Sequence, residues 1–580
     1  MNHSHFSFRK SCIALSCAVL FSAALPLTAA SDQPQVVHDK WVQRVLDITE
    51  DKKPKAPTPG SYGMDKKTGR FIHPQATEHT YESKPFDGLL DYWDSKEYSH
   101  NMKVEAYYPI AVEPFHTWQN IVDFDGKRYL YQYVREQLKI FDITNPKDLK
   151  LVHSKGFTWG PNGPANEENP YAAGDMFGAA SIQWNKKLGK LIMVQAFEVR
   201  RFGLLHDKLT EPDKVAAIRH SKHLKGFKVY EMNGPLPQDW KLLSERTTDT
   251  TNPNAPIGMQ QGSGVRDLPA YFGGDSMIVA AAPDASYALT EYGNDLYSAG
   301  YQSWDMSDPA NPKFMQQLTV PGQIAFDPEH EAAYKANPRA GNRTSWMGAR
   351  MSLFMPKPAE QGGKYGYAAM GGLGLYVVDI SNPAQMKTVG HLDFPPSYAG
   401  TEGDFIDVSQ VEKTGIIYYS GYPLNEDCYE PYKEIYMVDV SNPAKPKHLG
   451  VLPRPVPPKD AAFTDFCQRR GSFGPKRSGY YTQPGMSREG VIPYAFYNAG
   501  VQVYDVSNPK KPKISAYFVP PFKPDQVVDY ARGNLAHGVY VEYDRNLLWL
   551  FTNHGIYLLS SPVFGTPDFK APKTAWPKRD

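Results

Sequence analysis

The chain has no block of like charge. Its 63 lysines and arginines and 62 aspartates and glutamates leave a net charge of +1, spread evenly along the sequence. A nucleic-acid binder needs clustered basic residues to displace counterions, so that class is disfavoured. After the first 30 residues there is also no apolar run near the roughly 20 residues that span a bilayer, so no transmembrane segment is expected. Catalytic signatures are missing too. Gly262-Ser263-Gly264 lacks the spacing and the strand-to-helix setting of a nucleophile elbow. Asp123-Phe-Asp125-Gly126 begins like a calcium loop, but no acidic residue follows at the bidentate position, and Asp-Gly reads as an ordinary hairpin turn.

What the chain does have is a repeat. Five apolar runs end in the same way, at Asp142-Ile-Thr-Asn-Pro146, Asp305-Met-Ser-Asp-Pro309, Asp379-Ile-Ser-Asn-Pro383, Asp439-Val-Ser-Asn-Pro443 and Asp505-Val-Ser-Asn-Pro509. Such recurrence marks stacked supersecondary units. The β-branched and aromatic residues ahead of each motif suit a strand packed on both faces, as in Leu375-Tyr-Val-Val-Asp379. Ser, Asn and Pro then supply a turn, because the polar side chains bond nearby backbone and proline presets φ. Apolar stretches on either side complete a four-stranded unit. Weaker copies at Val229–Pro235 and Ile556–Pro562 bring the count to seven. The expected fold is therefore all-β, a seven-bladed β-propeller of four-stranded antiparallel blades, with an extended N-terminal arm and loop insertions on one face.

The runs Gly374-Leu-Tyr-Val-Val-Asp-Ile-Ser-Asn-Pro383 and Gly500-Val-Gln-Val-Tyr-Asp-Val-Ser-Asn-Pro509 resemble the LVIVD repeat, a family of bacterial and archaeal exported or surface propellers. The resemblance runs from about residue 116 to 562. It implies a fold and a compartment, and no reaction.

The ends fit that compartment. Arg9-Lys10, the apolar stretch Cys12–Leu27 and the small residues Thr28-Ala-Ala30 form an export signal with cleavage after Ala30. Residues 1–30 are thus the signal peptide and 31–102 an extended or loosely ordered arm. The propeller occupies 103–562, followed by a Pro-rich tail over 563–580. The tail offers no outer strand for the seventh blade, so Lys103–Val112 is expected to supply it and close the ring. The mature protein is expected to be exported, to the periplasm, the cell surface or the medium.

Signal cleavage removes Cys12 and Cys17 and leaves Cys428 and Cys467. In an oxidising compartment this pair is expected to form a disulfide, and closing the loop between them would contribute roughly 4 kcal/mol in the chain-entropy model. Strand order places both cysteines on one side of the ring. Turns between strands 1 and 2 and between strands 3 and 4 are short and share a face, whereas every long insertion falls on the other. Long loops on a rigid scaffold are the usual seat of function.

Innermost strands open onto that elaborated face, and their first residues define a polar channel mouth: His116, Arg350, Glu402, Asp404, Arg477 and His537. His116 and His537, on the first and seventh blades, could also hold a transition metal. The leading expectation is a binding or assembly module, not an enzyme, that engages a protein partner or a small ligand at this face. The alternative is a metal-assisted or redox enzyme with its site at the channel mouth.

Overall fold

The computed structural model describes residues 94–579 with breaks in the connections, together with Gly63–Asp65 and Arg70–Ile72. Outside the described residues lie 1–62, 73–93 and, among the connections, chiefly 110–116, 160–172, 202–224, 248–263, 283–299, 321–347, 395–400, 424–431, 480–486 and 523–535. Seven antiparallel sheets follow one another along the chain and make a seven-bladed propeller.

The first blade runs through Thr117–Phe124, Lys127–Val134, Gln137–Asp142 and Lys150–Lys155, and the second through Ala173–Asn185, Lys190–Arg201, Lys225–Met232 and Trp240–Thr247. The third uses Gly264–Val265 and Ala270–Tyr271 on the inside, then Ser276–Ala282, Gly300–Asp305 and Lys313–Leu318. In the fourth, three strands, Tyr365–Ala369, Leu375–Asp379 and Lys387–Leu392, form the sheet, and a single bridge from Phe354 to Tyr367 marks the inner position. The fifth is Thr401–Asp407, Ile416–Tyr422, Ile435–Asp439 and Lys447–Val451. The sixth is Arg477–Ser478, Val491–Ala495, Val501–Asp505 and Lys513–Val519, and the seventh is Ala536–Glu542, Leu547–Thr552 and Gly555–Ser560.

The repeat owes its regularity to backbone chemistry. In each copy the aspartate Oδ1 accepts from the amide two residues on, at 2.9 Å from Thr144, 2.9 Å from Ser307, 3.0 Å from Ser381, 2.9 Å from Ser441 and 3.1 Å from Ser507. The Asn or Asp of the motif repeats the device one step later, as Asn382 does for the Ala384 amide at 3.1 Å. Both are side-chain mimics of a backbone turn. Ahead of each aspartate the pairing with the outer strand slips by one residue, as between Val377 and Val378 or Val503 and Tyr504; such bulges add local twist. The residue after the aspartate donates back to the turn between strands 1 and 2, as Val440 does to Gly415 and Val506 to Gly490. All five turns therefore lie on one face, as expected from the sequence. Leu375, Tyr376, Val377 and Val378 are buried on both sides of their strand.

The same motif joins the blades. Its proline carbonyl accepts a hydrogen bond from the preceding blade: Pro309 from Ser244 Oγ at 2.8 Å, Pro383 from Ser303 Oγ at 2.6 Å, Pro146 from Tyr108 Oη at 2.9 Å. Pro235 of the degenerate copy accepts from Tyr131 Oη at 2.6 Å. Against Pro443 the neighbour is Gly390, where a Cβ would stand 2.0 Å from the carbonyl oxygen, so only glycine fits.

Ring closure adds other means to the Tyr108–Pro146 bond. Lys103–Tyr108 pairs with Gly555–Ser560 as the outer strand of the seventh blade, so the expected closure is present through Tyr108. Tyr98–His100 adds a fifth strand to the sixth blade, and the buried pair Asp94–Arg469 ties this segment down. Between the seventh and first blades lies a buried ionic network. Arg128 Nε and Nη2 donate to the two oxygens of Asp123 at 2.7 and 2.8 Å, and Nη1 donates to Glu542 at 2.6 Å and Asp544 at 2.9 Å. Arg545 fills the remaining lone pairs of Glu542 at 2.8 Å and reaches the carbonyls of Ile143 and Thr144. Burial alone would lower the Arg128 pKa, but the bonds to Asp123 and the charges of Glu542 and Asp544 outweigh it and hold the guanidinium protonated.

The C-terminal segment straps this joint from the short-turn face. Phe564 is fully buried, the Trp576 amide donates to Asp123 Oδ2 at 2.8 Å, and Arg579 bonds the Asp123 carbonyl while lying over the Trp184 ring of the second blade.

Candidate functional site

Inner strands neighbour one another around the axis, and in two of them the elaborated-face end is irregular where the candidates sit. Pairing of Thr401–Asp407 with its neighbour slips between Thr401 and Phe405, which puts Glu402-Gly403-Asp404 on a bulge. Pairing of Ala536–Glu542 slips between Ala536 and Gly538, which puts His537 on another. Bulges re-aim side chains and recur beside functional sites. Sequence alternation alone does not reveal them, because a bulge changes pairing without changing residue pattern.

Three candidates are fully described. Asp404 is buried, with Lys476 Nζ 4.0 Å from its Oδ2 and equally buried. Arg477 is buried and begins the two-residue inner strand of the sixth blade, paired with Ala495. His537 is buried, with its ring edge-on to Tyr497 at 5.6 Å. Asp404, Arg477 and His537 thus occupy three consecutive inner strands. His116 and Arg350 lie outside the described residues, and of Glu402 only the backbone is described. Among the described residues no group of three His, Cys, Asp or Glu side chains could hold a metal ion.

Other polar residues of the inner strands hold blades together. Ser181 Oγ donates to the Tyr271 carbonyl at 2.7 Å, and Asn120 Nδ2 donates to the Ala180 carbonyl at 2.6 Å. Asp407, at the far end of its strand, accepts from the Ser409 amide at 2.8 Å and from Ser478 Oγ; burial pushes its pKa up against those bonds. Asp125-Gly126 is the hairpin turn its sequence suggests, with φ of 48° and 75°, and Asp123 serves the ionic joint.

One long connection of the elaborated face is described over most of its length, Pro453–Arg469 and Ser472–Lys476. It is a packed cap. Phe463, Phe466 and Phe473 are buried in the main core, with Phe466 stacked on Phe473 at 5.5 Å and Tyr98 edge-on to Phe463 at 5.8 Å. Cys467 lies in its short helix Phe466–Arg469, and Cys428 lies outside the described residues. Arg469, from the same helix, donates to the carbonyls of Asn498 and Pro520 as well as to Asp94.

The fold and its repeat define the class, a seven-bladed β-propeller with a recurring Asp-x-Ser/Thr-Asn/Asp-Pro turn. The LVIVD repeat model matches residues 362–393, the stretch around the fourth-blade motif. No curated protein matches the chain. Among solved structures, Chaetomium thermophilum Sqt1 bound to the N-terminus of the ribosomal protein L10 aligns at a TM-score of 0.37 and 10% identity, over 79% of this chain and 99% of that one. The Dos1 propeller aligns at 0.38 and 11% identity, over 76% and 78%. Likenesses this distant say nothing of a partner for this chain.

Proposed function

We propose that the protein is an exported propeller scaffold that binds a protein partner or a small ligand on its elaborated face, at the mouth formed around Asp404, Arg477 and His537. The observation that carries the reading is the inequality of the two faces. One is occupied by tight repeat turns and the C-terminal strap, while the other receives the long connections and the bulged inner strands. Rigid scaffolds with elaborated loops on one side are built for recognition.

The test compares faces. Photo-crosslinkers placed near His537 and Tyr497 are expected to capture a defined partner, and the same probes at Ser381 and Ser441 are not. Capture from the short-turn face alone would overturn the reading. Export is part of the proposal: the mature N-terminus should begin at Ser31, and Cys428 and Cys467 should resist thiol labelling until reduced.

The bulge at His537 supports a second reading, a metal-assisted or redox site shared with His116. Stoichiometric metal in the purified mature protein, lost on His116→Ala and His537→Ala, would establish it. Metal-free protein that still captures its partner favours the scaffold.

A further inference from the structure

Just before the outer-strand bulge, each blade presents one cross-strand layer toward the preceding blade. At its second-strand position the second blade carries Gln195, opposite Lys228 and Ala180, and the third to seventh carry Val279, Ala368, Tyr419, Tyr494 and Leu550. In the first blade the layer is polar across three strands, with Gln119 opposite Gln132 and Gln132 opposite Lys139. It faces the seventh blade. The Gln119 amide lies 3.0 to 3.2 Å from where a Cβ on Gly538 would stand, and the layer below, Ile121, Leu130 and Phe141, packs in one cluster with Tyr540 and Phe551.

Gln132 is fully buried, yet among the described residues neither its Oε1 nor its Nε2 has a hydrogen-bond partner; Gln119, 2% exposed, has none there for Nε2. Two donors and an acceptor thus lie in one layer of the joint, with the apolar layer of Ile121, Leu130 and Phe141 between them and the ionic network. Leaving such a bond unmade is costly, and buried amides in native proteins are nearly always paired. Glycine at 538 lets the Gln119 amide approach the opposite wall this closely. Lys139 ends the layer on the outer side, and burial lowers its pKa, so a nearby anion would favour its charged form.

We propose that the joint between the seventh and first blades binds a small carboxylate that also carries a hydroxyl or amino donor. The carboxylate oxygens accept from Gln119 Nε2 and Gln132 Nε2, with Lys139 adding positive potential, and the ligand's own donor reaches Gln132 Oε1. The site is separate from the channel mouth and does not rest on the partner-binding reading. Because both amides are sealed from solvent, exchange requires the joint to part, and binding should be slow.

The probe is glycolate, with acetate lacking the donor and acetamide lacking the charge, each added at tens of millimolar to the mature full-length protein in a thermal-shift assay. Glycolate should raise Tm most, and acetate and acetamide less. The increase should vanish in Gln132→Leu, a variant that is itself at least as stable as wild type without ligand, since it removes an unpaired amide. An equal glycolate effect on wild type and Gln132→Leu, no effect on either, or a crystal structure in which these amides meet only water or protein atoms would overturn the proposal.

Discussion

Between the third and fourth blades a serine hydroxyl meets a proline carbonyl; between the seventh and first, five charged side chains are locked together in a buried network. The first joint is one instance of a device used around the ring, made from the same few residues that make the turn. The second has no counterpart elsewhere in the described residues and draws on segments far apart in sequence. A repeating unit can join to its successor with a repeating contact; where the last unit meets the first, the Tyr108–Pro146 bond keeps that contact and the ionic network is added to it.

Removing charge from the closing joint should have the largest effect. Arg128→Ala leaves Asp123 buried without its cation and Glu542 with Arg545 alone, and breaking a buried pair typically costs about 3–5 kcal/mol; urea unfolding should show the loss, and a midpoint within error of wild type would mean the network is not what holds the joint. Truncation after Pro562 comes next. It uncovers Asp123 and removes the fully buried Phe564, whose side chain alone is worth about 1.5–3 kcal/mol, so calorimetry should record a lower Tm with all seven blades still folded by circular dichroism. At an ordinary joint, Ser303→Ala or Ser244→Ala removes one hydroxyl bond and should cost about 1 kcal/mol. Losses as large as that of Arg128→Ala would erase the distinction between the two kinds of joint.

The smallest effect concerns acid. The backbone amides of Ser381 and Ser441 hold Asp379 and Asp439 below the ordinary aspartate pKa, and Ser507 does the same for Asp505. Their contribution is complete above the unfolded aspartate pKa and is lost as pH falls through the depressed folded values. Asp407 has the opposite sign: with its folded pKa raised by burial, it favours the fold at low pH and loses that advantage as pH rises through the raised value. Asp379→Asn should therefore flatten the acid limb of a stability profile, by under about 1 kcal/mol at so exposed a site, and Asp407→Asn should make the fold less sensitive to rising pH.

The turns, the blade count and the outer strand at Lys103 were legible because they depend on local residue chemistry or on a missing strand that can be counted. The joints were only half legible. Ser-Asn-Pro announces a turn, but nothing in it says that the proline carbonyl will meet Ser244 or Tyr108 of another blade. Tyr98–His100 and the strap after Pro562 carry no alternation, so their docking sites had to come from the fold. At the channel mouth Asp404, Arg477 and His537 fall on consecutive inner strands, yet Ser181 serves a joint, and the bulges at Glu402–Asp404 and His537 leave no trace in residue pattern.

The outer strand of the seventh blade has a consequence in time. Asn101 accepts a hydrogen bond from Ser561, 460 residues later, so a segment made early in synthesis waits for nearly the whole chain before it finds its partner. Until then the last sheet lacks its outer strand and Lys103–Tyr108 its partner, and unpaired edges invite pairing with other molecules. Contacts of such separation also slow the final step. The ring is therefore at its most vulnerable just after its C-terminus is released, and a companion that shields the Lys103–Tyr108 segment during that interval would raise the yield of closed rings more than any change within a blade.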